Sequence, residues 1–377
     1  MRVFEFEPGL YRLQPSFMAD GKMKLLHVVR RYGPVGGMER YVWELTRELA
    51  ALGHRVEVVC ERCHVEKPPG IKVVELGEIA QRPRWLSYLR FGRSVARWLR
   101  NNPHPGWLIH SHERLGMHQV TTFHGPPFAS VRERPWWKKL SLRVAMQLYL
   151  ERRELATAQA IIPNSEFIRR QLAHYYPEYA GKLTAPVVPG VLPGPVREPH
   201  QVEPGGGVIG FVGREWKRKG LPHAVEIVSQ LRCARPNLEL WVVGPRPEEV
   251  QHLFAGWSGG YRLLGWREQA PYVEFDVLLH SALAEPYGMV ISEAMSARVP
   301  VVVSDVCGAA AQVGPEAGEV LPLSASPDVW AGAVERQLAR GGAVPQFVRG
   351  WDEVARECEP IYLSTGASPQ AEPRHSR

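Results

Sequence analysis

From Lys24 the chain runs KLLHVVRRY, an aliphatic and β-branched strand pattern, into the glycine-rich turn GPVGG at 33–37 and then MERYVWELTRELAALG. In that last segment Val42, Leu45, Leu49 and Leu52 recur every three or four residues, the period of one helical face. Gly53 stops the helix, and HRVEVVC reads as a second strand. A strand, a short glycine turn, a helix and another strand form the unit from which parallel sheets are built, so the chain is committed to an α/β fold.

The same grammar continues. IKVVEL, WLIHSH, QVTTFHG and AIIPNS are further strand candidates, separated by helical segments rich in Arg and Trp around 82–100 and 134–160. They complete a first α/β domain, placed at 23–190. The stretch APVVPGVLPGPVREPHQVEPGGG is too dense in Pro and Gly for regular core structure and predicts a linker, placed at 191–206. VIGFVG, LELWVVG, YRLLGW, FDVLLH and VPVVVSD then repeat the pattern in a second α/β domain, 207–349. VRGWDEVARECEPIYL predicts an amphipathic helix, placed at 350–363, and a polar tail at 364–377 is expected to be disordered. Residues 1–22 precede the first strand and are given no structural role; they read as a flexible arm or the product of an upstream start codon.

A chain of 377 residues, 45% hydrophobic and 23% charged, suits two globular domains and excludes a disordered or fibrous protein. No run reaches the roughly 18 to 20 apolar residues of a membrane span, and the first residues lack a signal-peptide pattern, so a cytoplasmic protein is expected. Five scattered cysteines predict free thiols rather than a disulfide framework. The net charge of +7 favours anionic partners: phosphates, acidic lipid surfaces or nucleic acid.

The sharpest chemical signal is AEPYGMVISEAM, where Glu285 and Glu293 flank Tyr287-Gly288 and a helix pattern begins near Met289. Glu285 falls at a strand end, Gly288 lets backbone approach a ligand at a helix N-terminus suited to phosphate, and Glu293 lies about one turn inside. The segment FVGREWKRKG is a strand, a glycine turn and four cations, from which Arg214 and Lys219 can converge on one diphosphate. Solvated glutamates and a solvated basic loop are the plain alternatives. Against them, both segments follow strands whose C-terminal ends border the ligand crevice of open α/β sheets.

These blocks, with GGMERYVWELTRELAALGHRVEVV, TTFHG, IIPNSEFIRRQL and LLGW in this order, resemble the large family of retaining glycosyltransferases with the GT-B fold, over about residues 24–363. The KRKG loop and the HSHER segment are similar to transferases of the lipopolysaccharide core. The resemblance implies two Rossmann-like domains facing across a cleft, with the last helix crossing back to the first domain. It implies that Arg214 and Lys219 neutralise the departing diphosphate, Glu285 holds donor-sugar hydroxyls and Glu293 the ribose. Backbone N–H groups of Gly288, Met289 and Val290 would contact sugar and phosphate, Gly36 and Gly37 would face the diphosphate, and His124 would touch the transferred sugar.

The implied donor is a nucleoside-diphosphate sugar, with no other cofactor, and the implied acceptor is a glycolipid or lipopolysaccharide core. The five aspartates include no Asp-x-Asp pair to chelate a donor-bound ion, which agrees with metal independence. Two positions depart from the family pattern: Arg298 stands where a glycine is often found, and the turn CGAAAQV lacks the usual acidic residue.

Other readings compete. Cys60, Cys63 and His64 have the CxxCH spacing of haem attachment, but no export signal accompanies them. His110, His112, His118 and His124 crowd one segment, yet lack the local spacing of a zinc site. The helix pattern 83–100 sets Trp85, Tyr88, Leu89, Gly92, Val95, Ala96 and Leu99 on one face beside Arg90, Arg93, Arg97 and Arg100, and RPWWKKLSLR adds a second basic and aromatic cluster. Both suit either core packing with a solvated face or contact with an anionic membrane, on the inner face of the inner membrane. A nucleotide-sugar epimerase of similar fold, and a non-catalytic binder of nucleotide sugar or nucleic acid, are the alternatives; no nucleic-acid motif is present, and no nucleic-acid partner is expected.

Overall fold

The computed structural model describes residues 18–19, 21–138, 140–340 and 344–367. Most of the N-terminal extension and residues 368–377 of the tail lie outside these. The chain falls into two compact units. One comprises the residues up to Asn164, Ile168–Gly190 and those from Trp351 on; the other comprises Ser165–Phe167 and Val191–Gly350.

The first unit carries strands β1 (Lys22–Val28), β2 (Arg55–Cys60), β3 (Lys72–Glu75), β4 (Leu108–Ser111), β5 (Val120–Phe123) and β6 (Ala160–Pro163). They pair in parallel in the order β3-β2-β1-β4-β5-β6. Met18–Ala19 pairs antiparallel with Lys22–Met23, so this part of the extension is paired with the start of the inner strand β1. Helices α1 (Gly37–Ala51), α2 (Arg84–Asn101), α3 (Leu142–Thr157) and α4 (Glu166–Tyr175) follow strands as crossovers or connections.

On α2 the buried residues are Ser87, Phe91, Val95, Ala96 and Leu99, while Arg90, Arg93, Arg97 and Arg100 are exposed. The apolar stripe is thus rotated from the predicted face: Phe91 enters the core, and Trp85, Tyr88, Leu89 and Gly92 lie half-buried at its margin. Cys60 is enclosed at the end of β2, which suits the reading of the CxxCH triplet as ordinary strand-end residues.

The second unit repeats the topology with β7 (Gly206–Val212), β8 (Asn237–Val243), β9 (Tyr261–Gly265), β10 (Val277–His280), β11 (Val301–Ser304) and β12 (Gly318–Leu321), ordered β9-β8-β7-β10-β11-β12 and all parallel. Its helices include α5 (Leu221–Leu231), α6 (Met289–Ser296) and α7 (Pro327–Leu338). Strand β12, with the sequence GEVL, has too little apolar content for its pattern to mark it as a strand. Helices α5 and α7 cover one face, burying Leu221, Ile227, Val228, Trp330 and Val334 against β7 and β8.

The Pro- and Gly-rich segment before β7 has no regular structure but is packed. Arg197 makes a buried ion pair with Asp276, 2.7 Å, and Asp276 in turn accepts from the Val208 N–H. Helix α8 (Trp351–Ala367) belongs to the first unit and packs along α1, with His54 Nε2 2.8 Å from Glu359 and the Trp351 and Tyr41 rings edge to face. It runs four residues beyond the predicted end at Leu363.

Both sheets have the doubly wound strand order, in which the direction of strand addition reverses between the first and fourth strands while all the strands stay parallel. That reversal leaves a crevice at the C-terminal ends of β1 and β4 in one unit, and of β7 and β10 in the other. The loops carrying the predicted site residues emerge at these ends.

Candidate functional site

In the second unit the loop after β7 (213–220) and the loop after β10 (281–288) are stitched together. The Leu283 N–H donates to the Arg218 carbonyl, 2.8 Å, and the Ser281 hydroxyl to the Gly220 carbonyl, 3.1 Å. Gly220 has φ +82°, and a Cβ there would run into the Ser281 carbonyl, so a glycine is required on both counts.

This stitching brings Lys219 and Glu285 into an ion pair, with the Lys219 side chain 13% and the Glu285 side chain 8% exposed. The Arg218 guanidinium donates to the Ala284 carbonyl and to Glu215, and lies 3.6 Å from the same Glu285 oxygen. Burial alone would push the Glu285 carboxyl up. The Lys219 ammonium, His280 and Arg218 outweigh burial and hold it down at about 2. His280 Nε2 is 3.6 Å away, beyond a hydrogen bond, so it acts as a dipole rather than a donor. Glu285 is therefore ionised at neutral pH, with its charge balanced on the spot.

Gly288 caps α6 with φ +95°, which turns the chain so that the first N–H groups of the helix, those of Gly288, Met289 and Val290, have no intrahelical acceptor. The turn is braced by the Tyr287 hydroxyl, 2.9 Å from the Ser292 hydroxyl and 3.1 Å from Gln312. Glu293, one turn on, is half-buried and accepts a 2.5 Å hydrogen bond from the Tyr272 hydroxyl. At the other end of α6, Arg298 adopts φ +59°. The position often held by glycine in the family is a left-handed one, and here a side chain bears the strain.

Of the predicted residues, Lys219, Glu285, Gly288, Met289, Val290 and Glu293 gather on these two loops and α6. The Arg214 side chain is exposed on the same loop, and it is Arg218 that reaches Glu285. Four cations within six residues cannot be ranked by spacing; the turn decides which face inward. His280 and Tyr272 had no sequence signal beyond lying near a strand.

In the first unit Gly36 caps α1 and Gly37 opens it. A Cβ on Gly36 would collide with the Glu39 carboxylate, which pairs with Arg31, whereas Gly37 has open space. His124, after β5, lies 4.9 Å edge to face from the Tyr41 ring, and its Nε2 is 2.9 Å from His112 Nδ1. Glu113 of the HSHER segment is buried, accepts from the Arg30 N–H at 3.1 Å, and is pushed up to about 7 by burial.

Both halves of the chain match known families. Residues 35–185 fit the family described as Glycosyltransferase Family 4, and residues 206–340 that described as Glycosyl transferases group 1. The chain is a glycosyltransferase of the GT-B fold. This glycosyltransferase acts on a nucleotide-sugar donor and is related to transferases of the lipopolysaccharide-core type. It is 25% identical to a D-inositol 3-phosphate glycosyltransferase of Jonesia denitrificans, over 88% of this chain and 92% of that protein. It is 24% identical to the lipopolysaccharide glucosyltransferase WaaG of Escherichia coli K12, over 74% of this chain and 79% of that one. The crystal structure of WaaG, a glycosyltransferase involved in lipopolysaccharide biosynthesis, aligns with a TM-score of 0.70 at 19% identity, covering 89% of this chain and 95% of that one. Among the described residues no helix of the transferase is long and apolar enough to cross a membrane.

Proposed function

We propose that the protein is a retaining, metal-independent glycosyltransferase that passes a sugar from a nucleoside-diphosphate donor to a glycolipid acceptor in lipopolysaccharide-core assembly. The observation that carries this reading is the charge cluster of Lys219, Arg218 and Glu285 at the crevice of the second sheet, beside the N-terminus of α6.

Cleaving the anomeric C–O bond leaves an oxocarbenium-like sugar and puts new negative charge on the diphosphate. Lys219, with Arg214 and Arg218 on the same loop, supplies fixed positive charge where that charge grows, and the N–H groups of Gly288, Met289 and Val290 supply fixed dipoles. Glu285 accepts hydroxyls of the donor sugar and Glu293 those of the ribose. Gly36 and Gly37 face the diphosphate, and His124 contacts the transferred sugar. With the leaving phosphate itself taking the acceptor proton on the same face, no protein nucleophile is needed. The sequence has no Asp-x-Asp pair, and cationic side chains take the role a divalent ion fills elsewhere.

A glycolipid acceptor is supported by Trp136, Trp137, Leu140 and Leu142, which are 62–72% exposed and flanked by Arg134 and Arg143. Exposed aromatics among cations suit the headgroup layer of an anionic membrane, which supports a peripheral position on the cytoplasmic face of the inner membrane. The test is thermal stabilisation by UDP-, GDP- and ADP-sugars in EDTA, beside Glu293→Ala. A shift with one donor that survives EDTA and vanishes in the variant supports the reading; a shift that requires magnesium refutes metal independence.

A further inference from the structure

His27 on β1, His112 just beyond β4 and His124 after β5 form a continuous chain of rings. His27 Nδ1 lies 3.1 Å from His112 Nε2, and His112 Nδ1 lies 2.9 Å from His124 Nε2. The His27 and His112 rings are nearly parallel, with centroids 5.4 Å apart and planes at 15°. The chain is walled by His110, which the parallel register sets beside His27 and whose two ring nitrogens are held by the Tyr362 hydroxyl at 2.9 Å and the Thr122 hydroxyl at 2.8 Å. His27 and His112 are buried, and the far nitrogen of His27, Nε2, is enclosed with no hydrogen-bond partner. His124 at the other end is half-buried.

Burial keeps all three rings neutral: His27 and His124 are lowered to about 3, and His112 well below its ordinary value by burial and by His110, His124 and His27. Three neutral imidazoles carry three protons. Each of the two ring–ring contacts holds one, so the third must sit at an end of the chain. In one arrangement it is on His27 Nε2, an N–H donor stranded in the core. In the other it is on His124 Nδ1, and His27 Nε2 is left with a bare lone pair. Stranded buried N–H groups are the rarer and costlier defect, so the second arrangement prevails.

We infer that His27 and His112 are positioning residues that lock His124 as its Nδ1–H tautomer, so that His124 offers the donor sugar a hydrogen-bond donor and not a base. The functional half rests on the proposed contact between His124 and the sugar; the tautomer itself does not. The reversed chain would instead present a lone pair and leave the sugar oxygen it faces without a donor. Ligand atoms of His27, His110 and His112 lie within 4.8 Å of one another, close enough for a metal ion. The nitrogens of His110 and those between His27 and His112 are, however, already engaged in hydrogen bonds that an ion would have to break.

The decisive measurement is long-range 1H–15N correlation on the full-length protein labelled with 15N-histidine, without sugar. The expected result is a protonated Nδ1 and bare Nε2 for His27, His112 and His124 alike. An Nε2–H or cationic His124 at neutral pH, or a stoichiometric divalent ion in the purified protein, overturns the inference. In a second arm, turnover is followed with whichever nucleotide sugar stabilises the protein. His27→Asn, whose amide can donate to His112 Nε2, is expected to retain turnover. His27→Asp, which can only accept and so reverses the chain, is expected to lose about tenfold relative to His27→Asn while still folding, at a lower melting temperature because a carboxylate is buried. Equal turnover in the two folded variants overturns the functional half. Undiminished turnover in His124→Phe removes the sugar contact while leaving the tautomer result standing.

Discussion

Replacing Lys219 by Met strands the Glu285 carboxylate in a site only 8% exposed. A carboxyl held at about 2 instead of its ordinary 4.5 stabilises the fold by about 3 kcal/mol at neutral pH. That contribution is complete above pH 4.5 and is lost as the pH falls through 2. Lys219 is the largest of the groups that hold it there, and without it burial pushes the carboxyl up. Breaking a buried pair from one side costs about 3–5 kcal/mol by general experience, in agreement. For a unit of this size the melting temperature of Lys219→Met should fall by about 6–12 °C at pH 7. The double variant Lys219→Met/Glu285→Gln, which leaves no stranded charge, should regain at least half of that loss. Neither variant should turn over donor normally, because a cation missing from the developing charge costs on the order of 10²–10³ in kcat. Scanning calorimetry of the three proteins at pH 7 and pH 4 reads the stability side. A Lys219→Met protein that melts with the wild type, or a double variant no more stable than the single, refutes the buried-pair reasoning.

Three further outcomes are expected. Acidification from pH 7 to pH 5 should lower the melting temperature of the first unit: His27, His118 and His124, at about 3, each lose about 2 kcal/mol of stability as pH drops below 6.5. Glu113 and Glu154, at about 7 and about 8, return about 5 kcal/mol between them over the same range, but the lowered His110 and His112 add to the loss, so a melting temperature that rises on acidification would contradict the balance. Arg298→Gly should raise stability by about 0.5–1 kcal/mol by relieving the left-handed backbone at φ +59°, measured by denaturant midpoint; a loss would mean that the Arg298 side chain earns more than the strain costs. Trp136→Ser/Trp137→Ser should reduce co-sedimentation with anionic vesicles while leaving donor-induced stabilisation unchanged, and undiminished pelleting would remove these residues from the proposed membrane face.

Much of this protein is written locally. Strands enclosed by helices must be continuous aliphatic runs, so β1, β7, β8 and β11 stand out from their neighbours, and glycines at forced turns mark where loops begin. The block from Glu285 to Glu293 is legible for the same reason: a strand end, a glycine and a helix start lie within nine residues, and local rules place them. Strand β12 is not legible because GEVL has only two apolar residues, and the buried face of α2 differs from its apolar pattern because Trp, Tyr and Leu at a core margin look like core. What local pattern cannot hold is which side chain meets which across separate loops. That Arg218 and not Arg214 lies beside Glu285, that Lys219 is already paired, and that His27 joins His112 and His124 from 85 and 97 residues away depend on the strand order, which sets the first and fourth strands of each sheet side by side. Composition and period determine that two parallel sheets form; only the tertiary pairing decides which charges and ring nitrogens share a buried site, because taking each of them out of water is costly unless the fold supplies its partner.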